Sequence, residues 1–230
     1  MNSCAYAEKE HILYWHMLLP SDPTFFIMGI DQSLSGTGVA VVEATPTSIK
    51  PIHMATIGSK STGMKRLDEI VNEIVITVEE VKPILICMED VTRMATSASI
   101  IPLTELFAVI KFSLWKRQFP VRVQNQSQMK KFNFGQGNVS KDSNYMLRVF
   151  DAVNERFADD NQADAFMHAR LGIAVIRFLK GWTTLVDYST AQQEVLLATA
   201  LKHSGFTQGK FKKLTVEEKM KLVLESATLS

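Results

Sequence analysis

An α/β fold is predicted, with a five-stranded sheet flanked by helices and followed by a C-terminal helical extension. Three observations predict it. Five short apolar or β-branched runs lie at residues 25–30, 39–42, 51–57, 84–88 and 120–124. Helical spacing fills the intervals after the third run, and no strand signal occurs beyond residue 125. Two of the apolar runs end in acids, Asp31 and Glu89, and strand ends are where open α/β sheets form ligand sites.

The first element is FFIMGIDQSLSGTGVAVV, residues 25–42. Phe25 to Ile30 is apolar throughout, as in a strand covered on both faces. It runs into Asp31, then a small polar turn from Gln32 to Gly38, then the returning strand Val39 to Val42. A carboxylate at the end of a buried strand is costly unless it is paired. Asp31 either caps the turn or faces a metal ion, a lysine or backbone N–H groups.

The remaining elements follow in order. Pro51 to Ile57 forms a third strand. Met64 to Val81 places Leu67, Ile70, Val71, Ile74, Val75 and Val78 on one helical stripe, and Pro83 ends it. Ile84 to Met88 is a buried strand delivering Glu89 and Asp90. A helix spans about Ile100 to Arg117, and Pro120 to Gln124 is the fifth strand. Ser127 to Phe132 reads as a helical turn and Asn133 to Asn138 as a glycine loop. Ser140 is placed to cap a helix reaching Phe157. A long helix runs from Asn161 to Leu179, closed by Gly181. Residues 185–204 and 215–227 read as helices, the latter with Thr215 and Glu218 spaced as a capping box. The expected organisation is an N-terminal arm over 1–23, a main domain over 24–182 and a helical extension over 183–230.

Composition sets bounds. The 230 residues carry a net charge of +1, so any nucleic-acid surface must come from uneven charge distribution. Cys4 and Cys87 are the only cysteines, too few for a disulfide framework or a zinc cluster, which fits a reducing, cytoplasmic setting. No apolar run reaches membrane-span length, and Ile12 to Leu19 makes a poor signal peptide.

Two constellations carry chemistry. The first is acidic. Asp164 lies a turn inside the long helix among Ala163, Ala165 and Phe166, on the same face as Asp160 and Asn161. Asp159 and Asp160 suit the helix N-terminus as capping residues. Asp31, Glu89 and Asp164 form an oxygen-only set suited to Mg²⁺ or Mn²⁺. Two such ions support phosphodiester hydrolysis. No histidine or cysteine partner is expected beside these acids, which argues against zinc. The second constellation is basic. Residues 111–148 hold Lys111, Lys116, Arg117, Arg122, Lys130, Lys131, Lys141 and Arg148 against one acid, Asp142. Phe132 and Phe134 are interleaved, a combination that suits a phosphate backbone and base stacking. The cluster Lys210, Lys212 and Lys213 reads instead as solvated surface.

The order strand-GIDQSLSGTG-strand, strand-MEDV, basic glycine loop and helix-starting NQADAF resembles the RuvC family of Holliday junction resolvases, over roughly residues 24–180. The resemblance implies a ribonuclease H-like mixed sheet and a metal-dependent nuclease acting as a homodimer on branched DNA, chiefly four-way junctions. It implies that Asp31, Glu89 and Asp164 are the metal carboxylates, with two ions per site. Lys130 and Lys141 match the family's two functional lysines, with Gly135 and Gly137 between them. Asn161 stands where the family usually has an acid or histidine, so the fourth ligand is Asn161 or the adjacent Asp160. Thr92 replaces an aromatic that follows the second acid, leaving Phe132 or Phe134 as a wedge. Size and divergence are similar to phage-encoded members. Two other functions compete: a non-catalytic branched-DNA-binding module of the same fold, and an ATP-binding protein of the actin and sugar-kinase type. The single hairpin in a short chain disfavours the ATP-binding reading.

Overall fold

The computed structural model describes residues 22–91, 100–201 and 214–228. Residues 1–21 of the N-terminal arm, Thr92 and the lysine cluster at 210–213 lie outside the described residues. Five strands, β1 (Phe25–Asp31), β2 (Thr37–Ala44), β3 (Ile49–Ile57), β4 (Leu85–Glu89) and β5 (Val121–Gln124), form one sheet in the order β3-β2-β1-β4-β5. β1, β2 and β3 are antiparallel neighbours, whereas β4 runs parallel to both β1 and β5. Pro51 lies in β3, an edge strand, where the missing N–H donor is tolerated.

Side-chain alternation divides the sheet into two faces. On one face Met28, Ile30, Val39, Val41, Ile86 and Met88 pack against α1 (Gly63–Val81) and α2 (Ile100–Lys116). The six apolar residues expected on the α1 stripe are its six buried residues. Burial of each such side chain is worth roughly 1.5–3 kcal/mol. The α1 C-terminus closes through Lys82, which adopts the left-handed conformation and donates its N–H to the Val78 carbonyl.

The opposite face, with Phe25, Ile27, Ala40, Val42, Leu85 and Cys87, packs mainly against α5 (Asp160–Leu179). Helices α3 (Gln126–Phe134), α4 (Tyr145–Val153) and α6 (Thr190–Leu201) join the same core, and α7 (Val216–Thr228) follows. Val195, Leu196 and Leu197 of α6 are buried there. The N-terminus of α7 carries the expected reciprocal bonds between Thr215 and Glu218.

Helix α5 lies close to the sheet because glycines line the contact, Gly29 and Gly38 on the strands and Gly172 on the helix. A Cβ on Gly29 would stand 1.8 Å from the Ala165 carbonyl oxygen, and one on Gly38 would stand 2.0 Å from the Asn161 carbonyl oxygen. Within the helix, a Cβ on Gly172 would meet Cys87 Sγ at 2.4 Å. This seam of small residues sets the helix-to-sheet distance that brings α5 side chains to the strand ends.

The segment before α5 differs from expectation. Ser140 does not cap a helix to Phe157, because its hydroxyl donates to Asp142. Asp142 also accepts from the Asn144 N–H and from Arg148, and α4 begins only at Tyr145. The glycine loop starts later than predicted, since Asn133 and Phe134 belong to α3 and Gly135 caps it at φ 79°.

Candidate active site

Strand register builds the site. Ile30 pairs with Met88 in the parallel β1–β4 ladder, so the next residues, Asp31 and Glu89, emerge side by side. By alternation both point to the α5 face, together with Gln124 of β5, the partner of Glu89. Helix α5 supplies Asp164 and, one turn later, His168, both fully buried. Its N-terminus is capped by Asp159, which accepts from the Gln162 N–H at 2.9 Å.

The acids crowd one another. Burial holds Asp31 well above the usual carboxylate range, reinforced by the charges of Asp164 and Glu89. Burial also raises Glu89, while a hydrogen bond with Asp31 partly offsets this. Lys141 is the cation among them. Its Nζ lies 2.7 Å from Asp164 Oδ2, 2.8 Å from Asp160 Oδ2 and 4.0 Å from Asp31 Oδ2. Burial disfavours charge on Lys141, but Asp164, Asp160 and Asp31 outweigh it and raise its pKa above the ordinary lysine value. The Tyr145 hydroxyl donates to Asp164 Oδ1, leaving Oδ2 toward Lys141. Burial, then the charge of Asp164, keeps that phenol protonated.

His168 was missed from sequence, although it stands four residues after Asp164 on the same helical face. The expectation that no histidine lies near the acids is therefore corrected. Ligand atoms of Asp31, Glu89 and His168 all lie within 4.8 Å of one another. Its Nδ1 is 2.9 Å from Gln124 Oε1. Burial lowers its pKa to about 3, so the ring is neutral.

Other expected residues are placed differently. Lys130 Nζ donates to the Val139 carbonyl at 2.8 Å, bracing the loop that leads to Lys141. Lys131 pairs with Glu194. Two nucleic-acid expectations are corrected. Phe132 is 2% exposed, its ring packed in the core beside Tyr188, so no base reaches it. Arg122 is 5% exposed and donates to the Thr199 carbonyl at 2.6 Å, tying β5 to α6 rather than facing a phosphate. Phe134 is half-buried against Tyr145. Asn161 lies over Gly36 and Gly38 at the hairpin turn, and Asp160 reaches the site through Lys141.

Comparison with known proteins identifies the family and the fold. A family model described as crossover junction endodeoxyribonuclease RuvC matches residues 27–175. The fold is similar to that of Thermus thermophilus RuvC solved with a Holliday junction substrate. The TM-score is 0.54 at 16% identity, over 63% of this chain and 90% of that one. A second structure of Thermus thermophilus RuvC gives a TM-score of 0.53 at 17% identity, over 68% and 96% of the two chains. A search of curated protein sequences gives no match. The family match spans most of the chain and covers Asp31, Glu89, Lys130, Lys141 and Asp164 alike, and this chain belongs to the RuvC family of crossover junction endodeoxyribonucleases, the Holliday junction resolvases.

Proposed function

We propose that this chain nicks four-way junctions, and other branched DNA, by metal-dependent phosphodiester hydrolysis centred on Asp31, Glu89 and Asp164. The observation that carries this reading is the meeting of two adjacent strand-end carboxylates with a buried helix carboxylate and an ammonium. Buried acids that repel each other and hold a lysine among them are a donor set suited to cations. The Lys141 ammonium occupies one cation position, between Asp164, Asp160 and Asp31. The cluster of Asp31, Glu89 and His168 offers a second. The residues present fit divalent cations: Asp31, Glu89 and Asp164, with Asp160 and His168 beside them, would hold two ions, Mg²⁺ or Mn²⁺. Ions held there supply Lewis-acid stabilisation of charge developing on the phosphate and a lowered pKa for the attacking water.

The chain's own groups perform the rest. Lys141 is partly exposed, so its ammonium can turn from Asp164 to a phosphate oxygen and stabilise charge there. That movement frees Asp160 as the fourth ligand in preference to Asn161. Tyr145 orients Asp164, and Lys130 acts as a positioning residue through the Val139 carbonyl. Phe134, at the end of α3 before the glycine loop, remains the aromatic candidate for contact with DNA.

A homodimer suits two symmetric cuts in a junction. The α2 surface supports this reading, because Ile101, Phe112 and Trp115 are exposed large apolar residues along it, and the Phe112 and Trp115 rings lie 6.0 Å apart. Among the described residues no helix is long and apolar enough to cross a membrane, and Cys87 is a free buried thiol. The cytoplasm is the setting we assign.

The test is cleavage of a labelled synthetic four-way junction beside a matched linear duplex, with Mg²⁺, Mn²⁺ or chelator. Paired symmetric nicks on the junction alone, lost with chelator, are the expected result. Tight junction binding with no cleavage under either ion would instead support the non-catalytic module.

A further inference from the structure

We propose that His168 is a nitrogen ligand of the ion held between Asp31 and Glu89, making that position a mixed nitrogen–oxygen site that favours Mn²⁺ over Mg²⁺. The inference deepens the metal-dependent reading above and rests on it.

Four observations carry it. His168 is fully buried, and its Nε2 has no hydrogen-bond partner. A buried, unpaired imidazole nitrogen is costly unless something absent from the protein itself completes it. The imidazole lies beside Asp31 and Glu89: a ring nitrogen of His168 and one carboxylate oxygen from each acid all fall within 4.8 Å of one another. Ligands on opposite sides of one ion stand about 4.2 Å apart, so the group closes around a cation with a small adjustment. The other ring nitrogen, Nδ1, is bonded to Gln124 Oε1 at 2.9 Å. An amide oxygen only accepts, so Nδ1 carries the proton and Nε2 presents its lone pair, the arrangement by which metal-binding histidines are oriented. Finally, Gln124 is itself held in register opposite Glu89 by the β4–β5 ladder, so ring and acid are positioned by the same sheet.

The chemistry gives a direction. An all-oxygen set suits Mg²⁺, whereas an imidazole nitrogen shifts affinity toward Mn²⁺ and the later divalent metals. With Asn161 uncharged, His168 adds a ligand without adding charge to a crowded cluster.

The experiment uses the full chain. Mn²⁺ and Mg²⁺ are titrated separately by calorimetry, and pulsed electron paramagnetic resonance is recorded on the stoichiometric Mn²⁺ complex. The expected result is a directly bound ¹⁴N coupling that changes to the ¹⁵N pattern when histidine is ¹⁵N-labelled. In His168→Ala the coupling disappears and Mn²⁺ affinity falls about tenfold or more, while Mg²⁺ affinity changes less. The wild-type spectrum decides the question even if the variant fails to fold. Absence of nitrogen coupling at one bound Mn²⁺ overturns the proposal, as does an unchanged Mn²⁺ affinity in a folded His168→Ala. Either result would mean that the ring packs beside Asp31 and Glu89 without ligating an ion. Junction cleavage by the same samples separates the two readings: nitrogen ligation without cleavage retires the nuclease assignment, and cleavage without nitrogen ligation retires this one.

Discussion

Helices α1 and α5 cover opposite faces of one sheet by different means. α1 lays six aliphatic side chains on it and leaves its other side, with Met64 and Ile76, exposed to solvent. α5 is buried on nearly every side, and its contact with β1 and β2 runs through Gly29 and Gly38, with Gly172 against Cys87. A stripe of bulky residues stabilises a sheet but holds the helix away from it. A seam of small residues gives up some of that apolar burial and gains distance. The short distance is what lets Asp164 and His168 reach Asp31 and Glu89. α1 is therefore a stability element, and α5 a positioning element.

Substitutions sharpen this contrast. The largest effect is expected at Gly29→Val, whose Cβ would overlap the Ala165 backbone. Backbone cannot yield as a side chain does, so a loss of roughly 4 kcal/mol or more is expected in denaturant titrations. Any folded fraction should have lost cleavage. On the other face, Ile70→Ala in α1 is expected to cost about 3 kcal/mol through transfer and cavity terms. Cleavage per folded molecule should then stay within about twofold of wild type, as a stability element requires. A large activity loss with little destabilisation would break the comparison.

Asp31→Asn is expected to act in the opposite direction. The folded pKa of Asp31 is raised by burial and by its acidic neighbours. For a carboxyl raised in the folded state, the unfolded chain ionises first. Stability is then lost as pH rises from the ordinary carboxylate range to the raised folded value. The neutral amide removes that loss, so the variant without divalent ions should melt higher at neutral pH, by roughly 2–4 °C for each kcal/mol relieved. Its melting point should also vary less with pH across that window, which thermal scans at several pH values will show. The smallest effect is expected at Lys131→Ala. Its ion pair with Glu194 is exposed, and the stability change should stay within about 0.5 kcal/mol.

Much of this contrast was legible in the sequence on the α1 side and little of it on the α5 side. The α1 stripe reads directly because burial follows one period. Asp31, Glu89 and Asp164 were legible because an acid among apolar residues is conspicuous. His168 was not, although it repeats the four-residue spacing from Asp164, because its neighbours Met167 and Ala169 read as ordinary core. Phe132 and Arg122 misled for the reverse reason. Both sit in a basic stretch, but Met129 and Phe132 share one face of α3, and Arg122 alternates with the half-buried Val121 and Val123. Their periodicity places them inward, whatever the local charge. Ser140 lost its capping role to Asp142, a competition between neighbouring polar groups that spacing alone does not rank.

The most direct test of the central claim is the Asp31→Asn variant assayed for both junction binding and junction cleavage with Mg²⁺ and with Mn²⁺. The expected result is a folded protein that binds a four-way junction within a few-fold of wild type and cleaves it at least about a thousandfold more slowly, if Asp31 is the metal-holding carboxylate we propose. Cleavage near the wild-type rate by that folded variant would contradict it and move the reaction centre away from the strand ends.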